Sequence, residues 1–570
     1  MSEYRDRWLG SQPIFLLSVT WGGYIYRFAT KPVVLTAPGA THNFDGHLND
    51  PEYVQKSRVL GADFESLSVP FALFFAGINI ADEYKKGNVL DSAPCELAYV
   101  LEGETDFEQR VILAAGKVSQ PIFGYPERST SYVEFALESD SFVITRTLID
   151  GVNKTHIIDD GLLGFTEAGL ASLDKRNFGK TIPIVFGRLK TVDSVDVHPV
   201  PLYYIGLDAD LTDFNFTLAC HKVMSTTAEC KDGDTNVDDG AVLDAENLYS
   251  DFLTSGFLQK INERSTSYLA VPSTFSGSSV ITSPLTDDQL EYWAQVEKGL
   301  KSPFGDDVLE GGGDVCMWAL TSSNANIDYA AWYNLRQYLN QYKFAGVITD
   351  EQVTGLGWLQ QHILPYLPIE IILSKDGLSP RLNMLALGVD VPINDAIDAG
   401  AVFYRLGPLT PMSEPSDIIN EVTVRFAWDG ARQSYISKAV VQAEIPEYSS
   451  SFGFLGTPIA ITASQYAVVS QQIYGAKTAT FDLLYVYDRV TAFKIALDMI
   501  RFKSMPTYVA QYAASPEFGF LQLGDIIELT DLDISIDQQK AQVIAKRWNM
   551  THWQFDLKIE HNHIANVKQL

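Results

Sequence analysis

The chain has 570 residues, a formal net charge of −29, and 46% hydrophobic, 20% charged and 12% aromatic residues. Its length predicts about three to five domains, and its composition is typical of a folded soluble protein with a preference for β structure. The charge argues against a sequence-reading nucleic-acid-binding protein, which needs a basic face, and against docking on an anionic membrane. It permits a duplex to slide along an acidic wall without sticking to it.

Signals for secretion, membrane insertion and metal binding are not found in the sequence. The first residues, "MSEYRDRWLGSQ", contain no apolar signal core. The most apolar later run, Val69 to Ala81, is too short to cross a bilayer. The cysteines lack the spacings of zinc and iron–sulfur sites. We therefore expect no membrane insertion by this chain, no cofactor, and buried thiols made in a reducing cytoplasm. These thiols are Cys95, Cys220, Cys230 and Cys316.

Residues 1–150 are predicted to form an N-terminal β-rich domain. The runs "PIFLLSVTW" and "YIYRFAT" flank Gly22 and Gly23, and this pattern is a hairpin signal. A glycine-rich connection and the strand pair "TIPIVFGRLKTVDSVDVHPV" follow. They predict a second domain of hairpins and connections at 151–245.

The range 246–370 is predicted to be a helix-richer domain. Thr286–Gln289 and Thr349–Gln352 have capping-box spacing, before "LEYWAQVEKGL" and "VTGLGWLQQHILPYLP" respectively. The segment between them, "YAAWYNLRQYLNQY", predicts a helix with an apolar stripe that is more typical of a core than of a ligand site. The stripe consists of Trp332, Leu335, Leu339 and Tyr342.

Residues 371–570 are predicted to form a C-terminal β domain. The runs "IEIILS", "EVTVRFAW" and "ATFDLLYVY" indicate strands, and a helix at 488–504 interrupts the series. Asp488 is the predicted N-cap of this helix, because its carboxylate can accept from the first free backbone N–H groups.

A closing hairpin is predicted behind the helix. "FGFLQLGDIIELTD", Phe518 to Asp531, indicates a strand, a Gly-Asp corner and a second strand. We expect Gly524 to permit the tight corner and the 488–504 helix to pack against the hairpin. Ile526 or Ile527 should then face the core.

The sequence contains no P-loop, dinucleotide-binding, nucleophile-elbow or zinc-protease motif. One acidic loop, "DGDTNVDDG", places Asp232, Asp234 and Asn236 at positions 1, 3 and 5 of an EF-hand. However, Val237 stands where the loop needs Gly, and Leu243 stands where it needs Glu. A solvated hairpin loop is therefore the better interpretation, with an irregular cation site as the alternative.

Two further groups of polar residues are candidate sites. Asp531, Asp533 and Asp537 supply enough carboxylates for a glycosidase pair, but acids on an edge strand also guard against aggregation, and that interpretation is favoured. His561 and His563 share one face of a strand without an evident third ligand, which favours a surface pair over a metal site. We assign no catalytic, cofactor-binding or metal residue and expect no enzymatic activity.

Three stretches, taken in chain order, resemble one protein family. "PIFLLSVTWGGYIYRFATKPV" resembles the N-terminal strands of phage tail-tip hub proteins, and "GKTIPIVFG" resembles the family's K-x-x-P-x-V-F-G strand. The closing stretch resembles the hairpin that follows a helix in the last hub domain of long-tailed bacteriophage tail proteins. Its matching positions are Leu521, Gly524, Asp525, Ile526, Ile527, Leu529, Thr530 and Asp531. The chain thus resembles the baseplate or tail-tip hub proteins of long non-contractile, siphovirus-like tails.

The resemblance implies an α+β, mostly β, multidomain hub with tail-tube-like β-barrels and a helix-containing middle region. It implies a homotrimer in the virion, made in the host bacterial cytoplasm, that joins the tail tube to the tip and gates the DNA channel during ejection. The implied partners are the distal tail protein ring, tail fibre or tip proteins, the tape measure protein, and passing DNA without specific binding. The alternatives are a tail-associated cell-wall or polysaccharide hydrolase and a carbohydrate-binding adhesin.

Overall fold

The structure is a computed structural model, and it describes the following parts of the chain. They are residues 12–46, 48, 53–57, 70–74, 85–127, 130–139, 146–152, 157–158, 170–173, 177–208, 213–225, 227–232, 235–244, 267–272, 292–350, 352–374, 377–383, 395–400, 403–412, 415–443, 459–549 and 551–559.

Strands dominate the described parts of the chain. The first nine are β1 (Pro13–Trp21), β2 (Tyr24–Ala29), β3 (Val33–Ala37), β4 (Ala40–Phe44), β5 (Tyr53–Ser57), β6 (Pro70–Phe74), β7 (Pro94–Leu101), β8 (Val111–Glu127) and β9 (Thr130–Ser139). The next are β10 (Leu170–Leu173), β11 (Ile184–Phe186), β12 (Thr191–Val192), β13 (Val195–Asp196), β14 (Val200–Asp208), β15 (Asp213–Ala219), β16 (Thr227–Asp232), β17 (Thr235–Asp244), β18 (Ser267–Pro272), β19 (Tyr292–Ala294) and β20 (Gly346–Ile348).

The remaining strands are β21 (Ile369–Ser374), β22 (Gly377–Leu382), β23 (Asp395–Asp398), β24 (Phe403–Arg405), β25 (Thr410–Pro411), β26 (Glu421–Asp429), β27 (Ser434–Gln442), β28 (Ile459–Ala463), β29 (Thr478–Leu483), β30 (Tyr508–Ala514), β31 (Ile526–Asp531), β32 (Ile536–Asn549) and β33 (His552–Ile559). The helices are α1 (Leu148–Val152), α2 (Gly312–Ser322), α3 (Tyr329–Leu339), α4 (Gly355–His362), α5 (Gln465–Tyr474) and α6 (Arg489–Lys503). Short 3-10 turns lie at Phe107–Gln109, Leu364–Tyr366, Pro415–Asp417, Pro516–Phe520 and Leu532–Ile534.

The predicted N-terminal hairpin is confirmed. β1 and β2 pair antiparallel, with Trp21 opposite Tyr24, and Gly22 and Gly23 both have positive φ, as a two-residue turn requires. The hairpin belongs to a six-stranded antiparallel sheet in the order β2-β1-β7-β8-β9-β6, called here the N-terminal sheet. Because β1 is buried on both faces, Phe15 and Leu17 enter one hydrophobic cluster while Ile14 enters another.

Six strands between Val200 and Ala294 close on themselves. β14, β15, β18, β17, β16 and β19 pair in that order, and β19 also pairs with β14, so the antiparallel ring is complete. This ring is a small barrel, with β10 added to β14. A closed ring leaves no free strand edge between its members. The prediction of a barrel is confirmed here, and its likeness to a tail tube stays a prediction.

One predicted helix is wrong. The run that begins "LEYWAQVEKGL" contains β19 at Tyr292–Ala294, which pairs with two strands of the ring. This long-range pairing overrides the local helix signal. The capping spacing at Thr286–Gln289 lies outside the described residues. The helix predicted after Thr349 is confirmed as α4, but its N-cap is Thr354, whose hydroxyl accepts from the N–H of Gly357.

The predicted helix α3 is confirmed together with its core stripe. Trp332, Leu339 and Tyr342 are buried in the largest hydrophobic cluster, and Leu335 packs against that cluster. Asp328 caps the helix by accepting from the N–H of Ala331 at 3.1 Å. The apolar stripe therefore packs α3 against the core, as predicted.

A mixed sheet of order β28-β27-β26-β29 carries α6 on one face. Asp488 caps α6 as predicted, accepting from the N–H of Thr491 at 2.8 Å. Ile495 and Ile500 of α6 share a hydrophobic cluster with β26, whereas the closing hairpin belongs to a different cluster. The prediction that this helix packs the hairpin is therefore wrong: its apolar face covers the sheet formed by β26 and β27.

The last strands form an eight-stranded sheet, called here the C-terminal sheet. Its order is β23-β31-β32-β33-β30-β24, with β25 on β30 and β5 on β32. One hydrophobic cluster joins the N-terminal and C-terminal sheets, and another runs from α1 through α6. The fold class is thus α+β, mostly β and multidomain, as predicted. The domain limits at 150, 245 and 370 stay predictions, and the clusters add that the first and last predicted ranges share a core.

Candidate functional site at the Gly-Asp corner

The Gly-Asp corner is a tight turn held by backbone and side-chain hydrogen bonds. Gly524 has φ +81°, a conformation that a side chain would strain. A carboxylate oxygen of Asp525 accepts from the N–H of Gln522 at 2.7 Å. The backbone N–H of Gly524 donates to the carbonyl of Val543 at 2.8 Å, and the backbone N–H of Val543 donates to the carbonyl of Asp525 at 2.9 Å. These bonds fix the start of β31 against β32.

The segment before the corner differs from its prediction. Pro516–Phe520 is a 3-10 turn rather than a strand, because proline at its start cannot donate to a ladder and favours helical φ. The hairpin is instead β31 with β32, joined through the turn at Leu532–Ile534. The strand half of the prediction, Ile526–Asp531, is confirmed.

A buried lysine closes the 3-10 turn. Lys546 is 1% exposed, and its Nζ donates to the carbonyls of Gly519 and Leu521. The same Nζ lies 4.4 Å from the ring centre of Trp553. A buried ammonium is costly unless it is solvated by fixed dipoles, and the last carbonyls of a helical turn supply such dipoles. Lys546 therefore ties the 3-10 turn to β32.

Aromatic rings connect this corner to the N-terminal sheet. The rings of Tyr99 and Trp553 are 6.1 Å apart, and the Tyr99 hydroxyl donates to the carbonyl of Pro516 at 3.4 Å. Gly519 is needed for this approach, because a Cβ there would lie 2.1 Å from the Tyr99 hydroxyl. The 3-10 turn is thus clamped between two sheets whose sequences lie at opposite ends of the chain.

A third part of the molecule reaches the same corner through β22. The Gln542 side-chain N–H groups donate to the carbonyls of Leu382 and Gly524, at 3.3 and 3.5 Å. Ile526 is 2% exposed and packs against Leu382. Ile527, on the opposite face of β31, is fully buried among the residues of both terminal sheets. Both isoleucines are therefore buried, each against a different neighbour.

Asp531 ends β31 as a buried structural acid. It is 4% exposed, and one carboxylate oxygen accepts from Arg405 Nε at 3.1 Å and from the Tyr512 hydroxyl at 2.8 Å. Burial and this hydrogen bond raise the pKa of Tyr512 well above its usual range. β31 lies between β23 and β32, so the edge-strand interpretation of Asp531 is wrong. Asp533 and Asp537 are exposed.

The other residues considered from sequence are placed apart from the corner. Asp232 pairs with Thr235 across the β16–β17 hairpin, as the hairpin interpretation requires. Cys95, Cys220 and Cys316 are buried, and burial raises the pKa of Cys220 to about 12. The side chain of Cys230, and both His561 and His563, lie outside the described residues.

One buried acid is not indicated by any pattern in the sequence. Glu517, within the 3-10 turn, is fully buried, and neither carboxylate oxygen has a hydrogen-bond donor among the described residues. Nearby, burial raises the pKa of the Asp525 carboxyl, and the N–H of Gln522 opposes that rise. The hydrogen bonds and ring contacts of the corner join the sheets around it.

The described residues contain neither a metal-binding cluster nor a membrane-spanning helix. No cluster of three or more His, Cys, Asp or Glu side chains there is arranged to hold a metal ion. No helix in the same part of the chain has the length and hydropathy needed to span a membrane.

Known proteins are similar to this chain in structure and not in sequence. No protein-family model and no curated protein matches the sequence. A tail protein from Neisseria meningitidis is similar over 96% of this chain and 97% of its own, with 11% identity and a TM-score of 0.34. The 43 kDa tail protein of prophage MuSo2 from Shewanella oneidensis is similar over 96% and 98%, with 8% identity and a TM-score of 0.36. The prophage tail protein gp18 from Listeria monocytogenes covers 94% and 97%, with 9% identity and a TM-score of 0.31.

Proposed function

We propose that this chain is a structural hub at the distal end of a bacteriophage tail. Three copies surround the tail axis, join the tube and the distal tail protein ring to the tip, and gate the DNA channel during ejection. The tape measure protein, tail fibre or tip proteins are its further neighbours in the virion.

The Gly-Asp corner is the observation that carries the proposal. Of the residues that match the hub motif, Leu521, Ile527 and Leu529 lie in the cluster that joins the two terminal sheets. Ile526, beside them, packs against Leu382 of β22. A protein that transmits a conformational change between a tube and a tip needs such a joint, because packed sheets move as rigid bodies about their contacts. The motif and its mechanical position thus support the same function.

The charge of the chain supports passage of DNA without binding. Three copies carry a formal charge of −87, which is three times the −29 of one chain. A lumen that shares this excess repels phosphate within the Debye length, which is about 8 Å at physiological ionic strength. The duplex then stays centred and does not adhere to the wall.

Labelling of intact tails tests where the chain is placed. Antibodies against this chain, visualised by electron microscopy with gold conjugates, should label the distal end of the tail. Label on the capsid or along the whole tube would contradict the proposal. The enzymatic alternative predicts that the pure chain releases product from peptidoglycan or capsule and that replacing Asp531 or Asp533 abolishes release. Such turnover would also overturn the proposal.

A further inference from the structure

An exposed tyrosine pair lies on helix α3, far in sequence from the Gly-Asp corner. Tyr329 and Tyr333 are 49% and 50% exposed. Their rings lie 6.4 Å apart between centres, with an angle of 26° between planes. Residues four apart on a helix share one face, so the pair forms an aromatic surface, called here the tyrosine face. Ala330, Asn334 and Gln337, also exposed, complete it.

Arg336 supports the Tyr333 ring of the tyrosine face. Arg336 lies beneath Tyr333, with its guanidinium carbon 5.9 Å from the ring centre. That guanidinium makes two hydrogen bonds to Asp314, at 2.5 and 2.9 Å, and a third to the carbonyl of Phe304 at 2.8 Å. Asp314 is itself held by Asn340 at 3.1 Å. An exposed ring with such support loses little conformational entropy when a ligand covers it.

The helix is also anchored at its start. Trp332 is fully buried, and its indole N–H donates to the carbonyl of Leu378 at 2.9 Å. The backbone N–H of Asp328, the N-cap, donates to the same carbonyl at 3.0 Å. The buried face of α3 therefore anchors the helix to the core, and the exposed rings are not needed for that packing.

The scarcity of charged side chains on this helix indicates which class of ligand would suit the tyrosine face. The stretch from Tyr329 to Thr349 contains no Asp or Glu, although the chain has 71 of these residues. The tyrosine face itself offers aromatic surfaces and two amide side chains, and the charged group against it, the Arg336 guanidinium, is paired with Asp314. A neutral sugar matches this set, because its C–H faces stack on aromatic rings and its hydroxyls pair with amide donors and acceptors. From Tyr329 to Gln337 the helix rises about 12 Å, which suits a short oligosaccharide better than one ring.

We propose that the tyrosine face of α3 binds a neutral oligosaccharide. The sugar rings stack on Tyr329 and Tyr333, and Asn334 and Gln337 bind its hydroxyl or acetamide groups. The inference does not depend on the proposed tail function, since it rests on the face alone.

Titration of the full chain with two neutral sugars, chitohexaose and maltohexaose, tests the inference. Isothermal titration calorimetry should detect binding of at least one of them, and Tyr333→Ala should weaken it by tenfold or more. Tyr333→Phe should retain binding, because stacking needs the ring and not the hydroxyl. Tyr404→Ala, which removes a 46% exposed tyrosine on β24, is the matched control and should bind as wild type does. Thermal melts check that each variant is folded.

Two outcomes would overturn the inference. The first is that the wild-type chain binds neither sugar. The second is that Tyr329→Ala/Tyr333→Ala binds as tightly as wild type. If that variant also lowers the association state of the chain in sedimentation, the face is a contact between copies. None of these results bears on where the chain lies in a tail, which the labelling experiment tests separately.

Discussion

The rings of Phe15 and Trp548 meet edge to face, with centres 5.4 Å apart. Phe15 lies on β1 and Trp548 on β32, so this contact joins the N-terminal and C-terminal sheets. The two residues belong to one hydrophobic cluster and are each 2% exposed. β1 and β32 therefore share one core, and the other large cluster lies mainly between these two strands in the sequence.

The first prediction concerns this contact. Phe15→Ala and Trp548→Ala should each lower the free energy of unfolding by about 3–5 kcal/mol, because each leaves a cavity in the shared core. The double variant should show a coupling of about 0.5–1.5 kcal/mol. Urea denaturation of the four proteins measures the coupling, and strictly additive losses would mean that the two sheets do not pack as described.

The second prediction concerns the buried ion pair at the end of β31. Arg405→Met leaves the carboxylate of Asp531 buried with the Tyr512 hydroxyl, and it should cost about 3 kcal/mol or more of unfolding free energy. Arg405→Met/Asp531→Asn should recover part of the loss by removing the charge. The control is Arg425→Met, since Arg425 and Asp482 are 42% and 43% exposed. That change should cost less than about 1 kcal/mol. Equal losses at the two sites would contradict the burial of Asp531.

The third prediction concerns the two isoleucines behind the Gly-Asp corner. Ile526→Asp and Ile527→Asp should each destabilise the chain by several kcal/mol, because each buries a charge without a partner. Leu532→Asp provides the control, since Leu532 is 73% exposed in the turn that follows. Differential scanning calorimetry compares the three variants. An unchanged melting temperature for both isoleucine variants would show that the corner is not packed between its neighbours.

The fourth prediction concerns pH. Burial lowers the pKa of His221 from 6.5 to about 4, and its Nε2 accepts from the N–H of Val185 at 2.9 Å. In the unfolded chain His221 takes up a proton near pH 6.5, whereas in the folded chain it does so only near pH 4. The contribution of His221 to stability is therefore fully present above pH 6.5 and is lost as the pH falls toward 4. The loss should be about 2 kcal/mol at pH 5. His221→Gln should remove this share of the pH dependence in urea midpoints at pH 7.5 and 5.0, and an unchanged slope would contradict it.

Local signals made part of the fold predictable. The hairpin at Gly22 and Gly23 and the cap at Asp488 follow from residues within a few positions of each other. By contrast, β5 joins β32, and β23 runs parallel to β31, through pairings between distant segments that leave no local pattern. The destination of α6 was missed for the same reason, because the apolar face of a helix indicates burial without naming the sheet that covers it.

The turn residues of the candidate site are predictable from the sequence, but the contacts that join it to the neighbouring sheets are not. The turn chemistry of Gly524 can be inferred from a Gly-Asp pair. The burial of Lys546 cannot, because the carbonyls that bind its Nζ come from a 3-10 turn more than 20 residues earlier. A lysine on a strand is normally exposed, and here the tertiary position of the turn reverses that expectation.

Reconstruction of the tail particle by electron cryomicroscopy tests the central claim most directly. The hub account predicts three copies of this chain around the tail axis, a channel wall with more Asp and Glu than Lys and Arg, and contact with the distal tail protein ring. One copy or six copies of the chain, or a channel lined mainly by Lys and Arg, would contradict it.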